Sequence, residues 1–236
     1  MRLLSDAVLD GRDVDQETIA LFDDLAVVLC DADPRIWPPK IVRLIGSYGA
    51  EIPAFVAGYL VFHRSFIGPR AIEAAAEMLI DLRARFGDAP ARADLQRYVE
   101  ERPRVPGFGV PFRPSDPRVE LSKAVVARRA LADGAHWRLA WDLAEVVATS
   151  RRAPPNVALT TASILLDRGL APEEIGSLTT SFFQNIFLAN AIEEARSPHP
   201  ILRRLPGDNV RYEGRPARMS PRALAETVRS DRSKVP

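Results

Sequence analysis

Apolar residues recur every three or four positions along most of this chain, the spacing of one helical face. Ile19, Phe22, Leu25 and Leu29 form one such stripe, and Asp13 with Gln16 ahead of it has the spacing of a capping box. Asp33-Pro34 ends that helix, and Pro38-Pro39 suits the first turn of the next. Ile52, Phe55, Val56, Tyr59 and Leu60 predict a third helix, and Ile72, Ala75, Ala76, Leu79 and Leu82 a fourth. Leu95, Tyr98 and Val99 mark a shorter one that stops before Pro103.

Six prolines and glycines between residues 102 and 116 rule out a regular element there. Helices resume over 119–131, 137–149 and 156–168, with Gly169 as a stop. Pro172 opens a last long helix whose stripe is Leu178, Phe182, Ile186, Phe187 and Ala189. Beyond Arg196 the composition turns to proline, arginine and glycine, as in an extended tail. No segment alternates with a period of two and no fixed-length repeat occurs, so the pattern predicts an all-α fold.

With 236 residues, 47% of them apolar, the chain is long enough for a substantial core. A formal net charge of +1 gives no global field for nucleic acid or an anionic membrane surface. Nothing approaches the roughly 18–20 uninterrupted apolar residues of a membrane span, and the N-terminus lacks a leader-like apolar run. These features predict a cytoplasmic protein without nucleic-acid or membrane partners. The lone cysteine, Cys30, sits in an apolar run and reads as a core residue. No His, Cys, Asp and Glu cluster has metal-ligand spacing, so no metal is expected.

Three stretches carry a family resemblance. Gly107-Phe108-Gly109-Val110-Pro111, then Asp116-Pro117-Arg118, then Pro155-Asn156-Val157-Ala158 keep the order and spacing of a known pattern. They resemble the citrate synthase superfamily, which reads Gly-x-Gly-His-Arg, Asp-Pro-Arg and Pro-Asn-Val-Asp. The tail Arg204-Leu205-Pro206-Gly207-Asp208-Asn209-Val210-Arg211-Tyr212 and the stretch 186–194 are similar to the short citryl-CoA lyase form, the module that also closes ATP-citrate lyase. The resemblance covers about residues 13–214, which implies one citrate synthase-like helical domain over 1–214 and a tail over 215–236. It also implies a homodimer, or a heteromer with an active homologue.

Family chemistry forms or breaks a carbon–carbon bond on a coenzyme A thioester. An Asp moves the methyl proton, one His stabilises the enol oxygen, another polarises the ketone, and arginines clamp carboxylates. The resemblance places the base at Ala158, the ketone-polarising His at Val110, and carboxylate-binding arginines at Pro111 and Phe183. The enol-stabilising His falls at Ala32 in a lyase alignment, or at Gly68 or Ala71 in a synthase one. None of these side chains transfers a proton or donates a hydrogen bond. Losing one oxyanion-type donor already costs ~10²–10³ in rate, so citrate chemistry is expected to be lost.

Val110, Pro111, Phe112, Ala158, Phe183 and Leu159 are then expected to line an apolar former site. For a coenzyme A ligand the resemblance points to Arg104, Phe108, Gly109, Arg113, Arg118 and Asn156, and for substrate carboxylate to Arg204. Arg102, Arg151 and Arg152 add to the cations around the loop, while Arg118 equally suits a structural pair with a carboxylate. His63 is the candidate for a relocated acid–base group, or a helix C-terminal cation. His136 reads as a helix-start surface residue, His199 as part of the tail, and Glu73 with Glu77 as a solvated face. Two functions follow. One is a diverged enzyme or binder of an acyl-CoA or less polar compound. The other is an inactive paralogue acting as a regulatory or partner-binding subunit.

Overall fold

Most helices begin where a proline or a short polar side chain meets the first apolar position. The computed structural model describes residues 8–9, 11–31, 33, 35–62, 67–198, 201, 206–209, 211, 213–214 and 220–221. The chain divides into two units, Met1–Leu202 and Arg203–Pro236. The described part of the second holds one short 3-10 turn, Gly207–Asn209.

The first unit contains α1 (Gln16–Cys30), α2 (Trp37–Gly46), α3 (Glu51–Phe62), α4 (Pro69–Phe86), α5 (Arg92–Glu100), α6 (Pro117–Arg128), α7 (Ala135–Ser150), α8 (Val157–Leu166), α9 (Pro172–Phe182) and α10 (Gln184–Ala195). The expected all-α architecture holds: among the described residues the only β-type pairing is an isolated antiparallel bridge between Phe108 and Pro155. Among them, too, no helix is long and apolar enough to cross a membrane.

The centre is α8, Val-Ala-Leu-Thr-Thr-Ala-Ser-Ile-Leu-Leu, in which all ten residues are buried. A helix with no charge on any face is stable only when covered all round. Here α4, α6, α7 and α9 cover it. Of its buried hydroxyls, Thr160 Oγ1 donates across to Ser122 Oγ of α6 at 2.9 Å and Ser163 Oγ donates to the Thr160 carbonyl at 3.0 Å. Around this centre α1 packs on α6 and α9, and α5 on α4 and α7, while α2, α3 and α10 form a second layer of mutually packed helices.

Several details depart from the sequence reading. The cap of α1 is Asp15, whose carboxylate accepts the Thr18 amide at 2.6 Å, in place of the Asp13–Gln16 box. Cys30 is exposed, because the buried face of α1 passes through Leu25, Val28 and Leu29. His136 is buried rather than on the surface. Its Nδ1 lies 2.9 Å from Asp167 Oδ1, and that carboxylate also accepts the His136 and Trp137 amides that start α7. Glu77 is exposed as expected, but the Glu73 side chain is only 15% exposed, wedged against Gly176 and paired with Arg70 at 3.0 Å.

The last long helix is two helices. The chain breaks at Phe183, and the buried face of α10 runs through Ile186, Phe187 and Ala191, leaving Ala189 exposed. In α3 the buried residues are Ala54, Gly58 and Phe62, while Ile52, Val56 and Leu60 of the predicted stripe are exposed. The stretch is apolar at almost every position, so periodicity carries no orientation. Close approach decides instead, because a Cβ on Gly58 would lie 2.7 Å from Val42 Cγ2 and 2.8 Å from Phe187 Cγ.

That contact makes a definite prediction. Gly58→Ala gains helix propensity but forces α2 and α10 apart, so a net loss of about 1–3 kcal/mol is expected in chemical denaturation. A stabilised variant would show that the three-helix layer has room to spare.

Candidate functional site

The irregular segment 102–116 keeps its shape through backbone contacts with the start of α8. Gly107 and Gly109 take φ of 83° and 86°. A Cβ on Gly107 would lie 2.8 Å from Leu159 Cβ and 3.1 Å from its Cα, so only glycine lets the chain cross α8 there. The Asn156 amide donates to the Gly107 carbonyl at 2.9 Å, and the Gly109 amide donates to the Pro154 carbonyl at 2.8 Å. Asn156 Nδ2 donates to the Gly109 carbonyl at 2.9 Å, while its Oδ1 accepts the Ala158 amide at 3.0 Å and caps α8. Asn156, expected to touch a cofactor, is engaged in this clip.

Asp116 ties the other side. Its carboxylate accepts the Arg118 amide, which caps α6, and the Val157 amide at 2.9 Å, the first donor of α8. It also takes both arms of the Arg118 guanidinium, at 2.8 and 2.9 Å. Burial alone would push this carboxyl up, since it is 3% exposed. The Arg118 hydrogen bonds and charge, with the two amides, outweigh that and hold it below the usual carboxylate range.

A second buried carboxylate, Asp33, lies on the segment between α1 and α2. It accepts the Arg35 guanidinium at 2.7 Å, the Arg35 amide at 2.9 Å and Arg113 Nε at 2.8 Å. The Arg35 hydrogen bonds hold this carboxyl far below its ordinary range. Arg35 also stacks 5.4 Å from the Phe112 ring centroid, with Phe112 itself at φ 65°. Two arginines from different segments are thereby pinned to one aspartate.

Between these anchors lies a cavity of about 290 Å³. Its loop side is made by Phe108, Gly109, Val110, Pro111, Arg113 and the Asp116–Arg118 pair, and its floor by Asn156, Val157 and Ala158. The facing wall comes from Gly68 and Ala71 near the start of α4, and from Phe62, Phe183 and Phe187. Those phenylalanines stack edge to face, Phe62 with Phe183 at 4.7 Å and Phe62 with Phe187 at 5.2 Å. Asp31 and Asp33 complete the rim.

The structure therefore gathers Gly68, Phe108, Gly109, Val110, Pro111, Arg113, Arg118, Asn156, Ala158 and Phe183 on one cavity. Phe112 is 65% exposed and Leu159 is buried beneath Gly107, so neither lines it. Arg104 is exposed and outside the lining. Arg102 is engaged with Asp81 at 2.9 Å and lies over the Tyr98 ring. Arg151 donates to the carbonyls of Val99, Arg102 and Pro103. Ala32, His63, His199 and Arg204 lie outside the described residues. Among the described residues no group of three His, Cys, Asp or Glu side chains is placed to hold a metal ion.

Sequence reasoning passed over Asp33, Phe62 and Phe187. Asp33 looked like punctuation before Pro34, and nothing in the chain links it to Arg113, 80 residues away. Phe62 sat in an apolar run whose inward side no pattern marked, and Phe187 read only as part of the core stripe of its helix.

No family model and no curated protein sequence matches the chain. Solved structures do. A citryl-CoA lyase from Hydrogenobacter thermophilus is 22% identical with a TM-score of 0.66, over 94% of this chain and 88% of that one. A citrate synthase from Thermotoga maritima is 18% identical with a TM-score of 0.64, over 89% of this chain and 56% of that one. An ATP citrate lyase from Methanosaeta concilii, in complex with (3S)-citryl-CoA, is 14% identical with a TM-score of 0.66, over 91% and 36%. At these identities the likeness is one of fold, and the chain has the citrate synthase-like fold that the resemblance implied.

The Asp116 pair gives a pH-dependent outcome. Its folded pKa is lowered, so its contribution to stability is complete above the unfolded value near 3.8 and is lost as pH falls through the folded one. Asp116→Asn, which leaves Arg118 buried without its charge partner, is expected to cost about 3 kcal/mol at pH 7. The gap from wild type should begin to narrow only below about pH 4 and close as pH falls through the folded value. A gap independent of pH in urea titrations would show that the carboxylate's charge is irrelevant.

Proposed function

On the citrate synthase-like frame, we propose that the chain binds a coenzyme A thioester whose acyl group is uncharged, and that it runs no citrate chemistry. One observation carries this reading. The cavity is open, yet the arginines and the first helix amides that face it already have protein partners. Val157 N donates to Asp116, Ala158 N to the Asn156 side chain, and Leu159 N to the Asn156 carbonyl. Arg118 is held by Asp116 and Arg113 by Asp33. A di- or tricarboxylate would meet Asp31, Asp33 and Asp116 there, and among the described residues of the lining no uncommitted cation neutralises it.

The chemistry of the lining supports the loss of catalysis. Ala158, Val110, Pro111 and Phe183 stand where the resemblance puts the base, the polarising group and the carboxylate clamps, and all four line the cavity. The two buried aspartates are held ionised by arginines, which makes them poor acceptors for a thioester α-proton. What is left is an apolar pocket of a size that takes a small acyl group. That a fold neighbour holds citryl-CoA supports a thioester as the ligand class. The nucleotide would lie outside the cavity, with Arg104 the exposed loop cation nearest in sequence.

A partner-binding role rests on a separate observation. Helix α3 has one charged residue, Glu51, in twelve, and its outer face presents Ile52, Val56 and Leu60 to solvent. An apolar stripe of that kind on a helix with a single charge at its start is what a subunit interface covers. We assign it to a second copy of the chain.

Calorimetric titration tests the ligand reading. Acyl-CoA with an uncharged acyl group is expected to bind at micromolar concentrations, and citrate and oxaloacetate not at all. Binding of citrate, or of no thioester, would overturn it, the latter leaving the inactive partner-binding subunit. Light scattering tests the interface: wild type is expected to be a dimer and Leu60→Glu a monomer, whereas a monomeric wild type removes the interface.

A further inference from the structure

Resting on the thioester reading above, we propose that the acyl group the cavity takes carries an aromatic ring, and that Phe183 sets this preference. The cavity opens onto the end of an aromatic ladder. Phe183 stacks on Phe62 at 4.7 Å, Phe62 on Phe187 at 5.2 Å, Phe187 on Tyr59 at 5.2 Å, and Tyr59 on Phe55 at 5.4 Å. Interplanar angles of 64° to 86° make every step edge to face. Among the described residues Phe183 has one ring neighbour, Phe62, and it also borders the cavity. On the loop side Phe108 supplies another ring.

A Cβ on Gly68 would fall 1.8 Å from Phe62 Cζ, so the Phe62 ring rests on the Gly68 backbone. Phe183 sits where the backbone breaks between α9 and α10, anchored on either side by the buried Phe182 and Ile186. A preformed wall of this kind favours a planar group, which loses little freedom on binding, over an alkyl chain that must freeze several torsions. An aryl ring also gains the edge-to-face geometry that an alkyl chain lacks. Size agrees, since an apolar cavity of about 150 Å³ admits benzene. The 290 Å³ present here leaves room for a methylene and the thioester carbonyl beyond the ring.

The test uses the full-length protein titrated with phenylacetyl-CoA, hexanoyl-CoA and free CoA. Phenylacetyl-CoA is expected to bind about tenfold tighter than hexanoyl-CoA. Phe183→Leu is expected to weaken phenylacetyl-CoA about tenfold while shifting hexanoyl-CoA by no more than about twofold. Equal or tighter binding of hexanoyl-CoA would overturn the aryl preference and leave the thioester reading standing. Failure of both thioesters to bind removes that reading, and this one with it. A Phe183→Leu protein that loses both ligands equally takes the selecting role from Phe183. If that variant does not fold, the wild-type ranking alone decides the preference.

Discussion

The Asp116 carboxylate is the contact on which the rest of the site depends. It stops the irregular loop, starts α6 through the Arg118 amide, and starts α8 through the Val157 amide. A single side chain thereby fixes the relative placement of two helices and of the segment that carries Val110 and Pro111. Its burial is tolerable only because Arg118 grips both oxygens. Asn156 repeats the arrangement one residue before α8, pinning Gly109 with one end of its amide and capping the helix with the other. These two polar residues tie the loop to the first turn of α8, and the cavity lies between that junction and the wall made by Gly68, Ala71 and the three phenylalanines.

The buried charge within the site is arranged in closed pairs. Asp33 meets two arginines and Asp116 one, and the donors at the helix end are likewise taken. A helix N-terminus facing a cavity usually offers itself to an anion. Here the protein fills that role with its own carboxylate. Arg102 and Arg151, which look in sequence like cations free for phosphate, stabilise the end of α5 and its packing on α4.

The fold was legible because helix punctuation is local. Pro38-Pro39, Gly169 and Pro172 act within a few residues of where they stand, and each bounds the helix it suggested. The loop near the site was legible through Gly107 and Gly109, whose positive φ no other residue supplies cheaply. Orientation was not legible where composition is uniform. Every face of α3 is apolar, so which side it buries depends on the space above Gly58, a tertiary fact. The same holds for Asp33, whose partner Arg113 comes from a distant segment, and for Phe183, which interrupts a helix that its neighbours would continue.

Only part of the lining of this cavity belongs to the frame that shapes it. The frame consists of backbone amides and carbonyls of Gly107, Gly109, Pro154 and Val157, with the Asn156 side chain and the Asp116–Arg118 pair. Val110, Pro111 and Ala158 line the space without a side-chain hydrogen bond to that frame. Exchange at these three positions alters the lining while leaving intact the hydrogen bonds of the clip that shapes it. A fold built in this way keeps the shape of its cavity whatever side chains those positions carry.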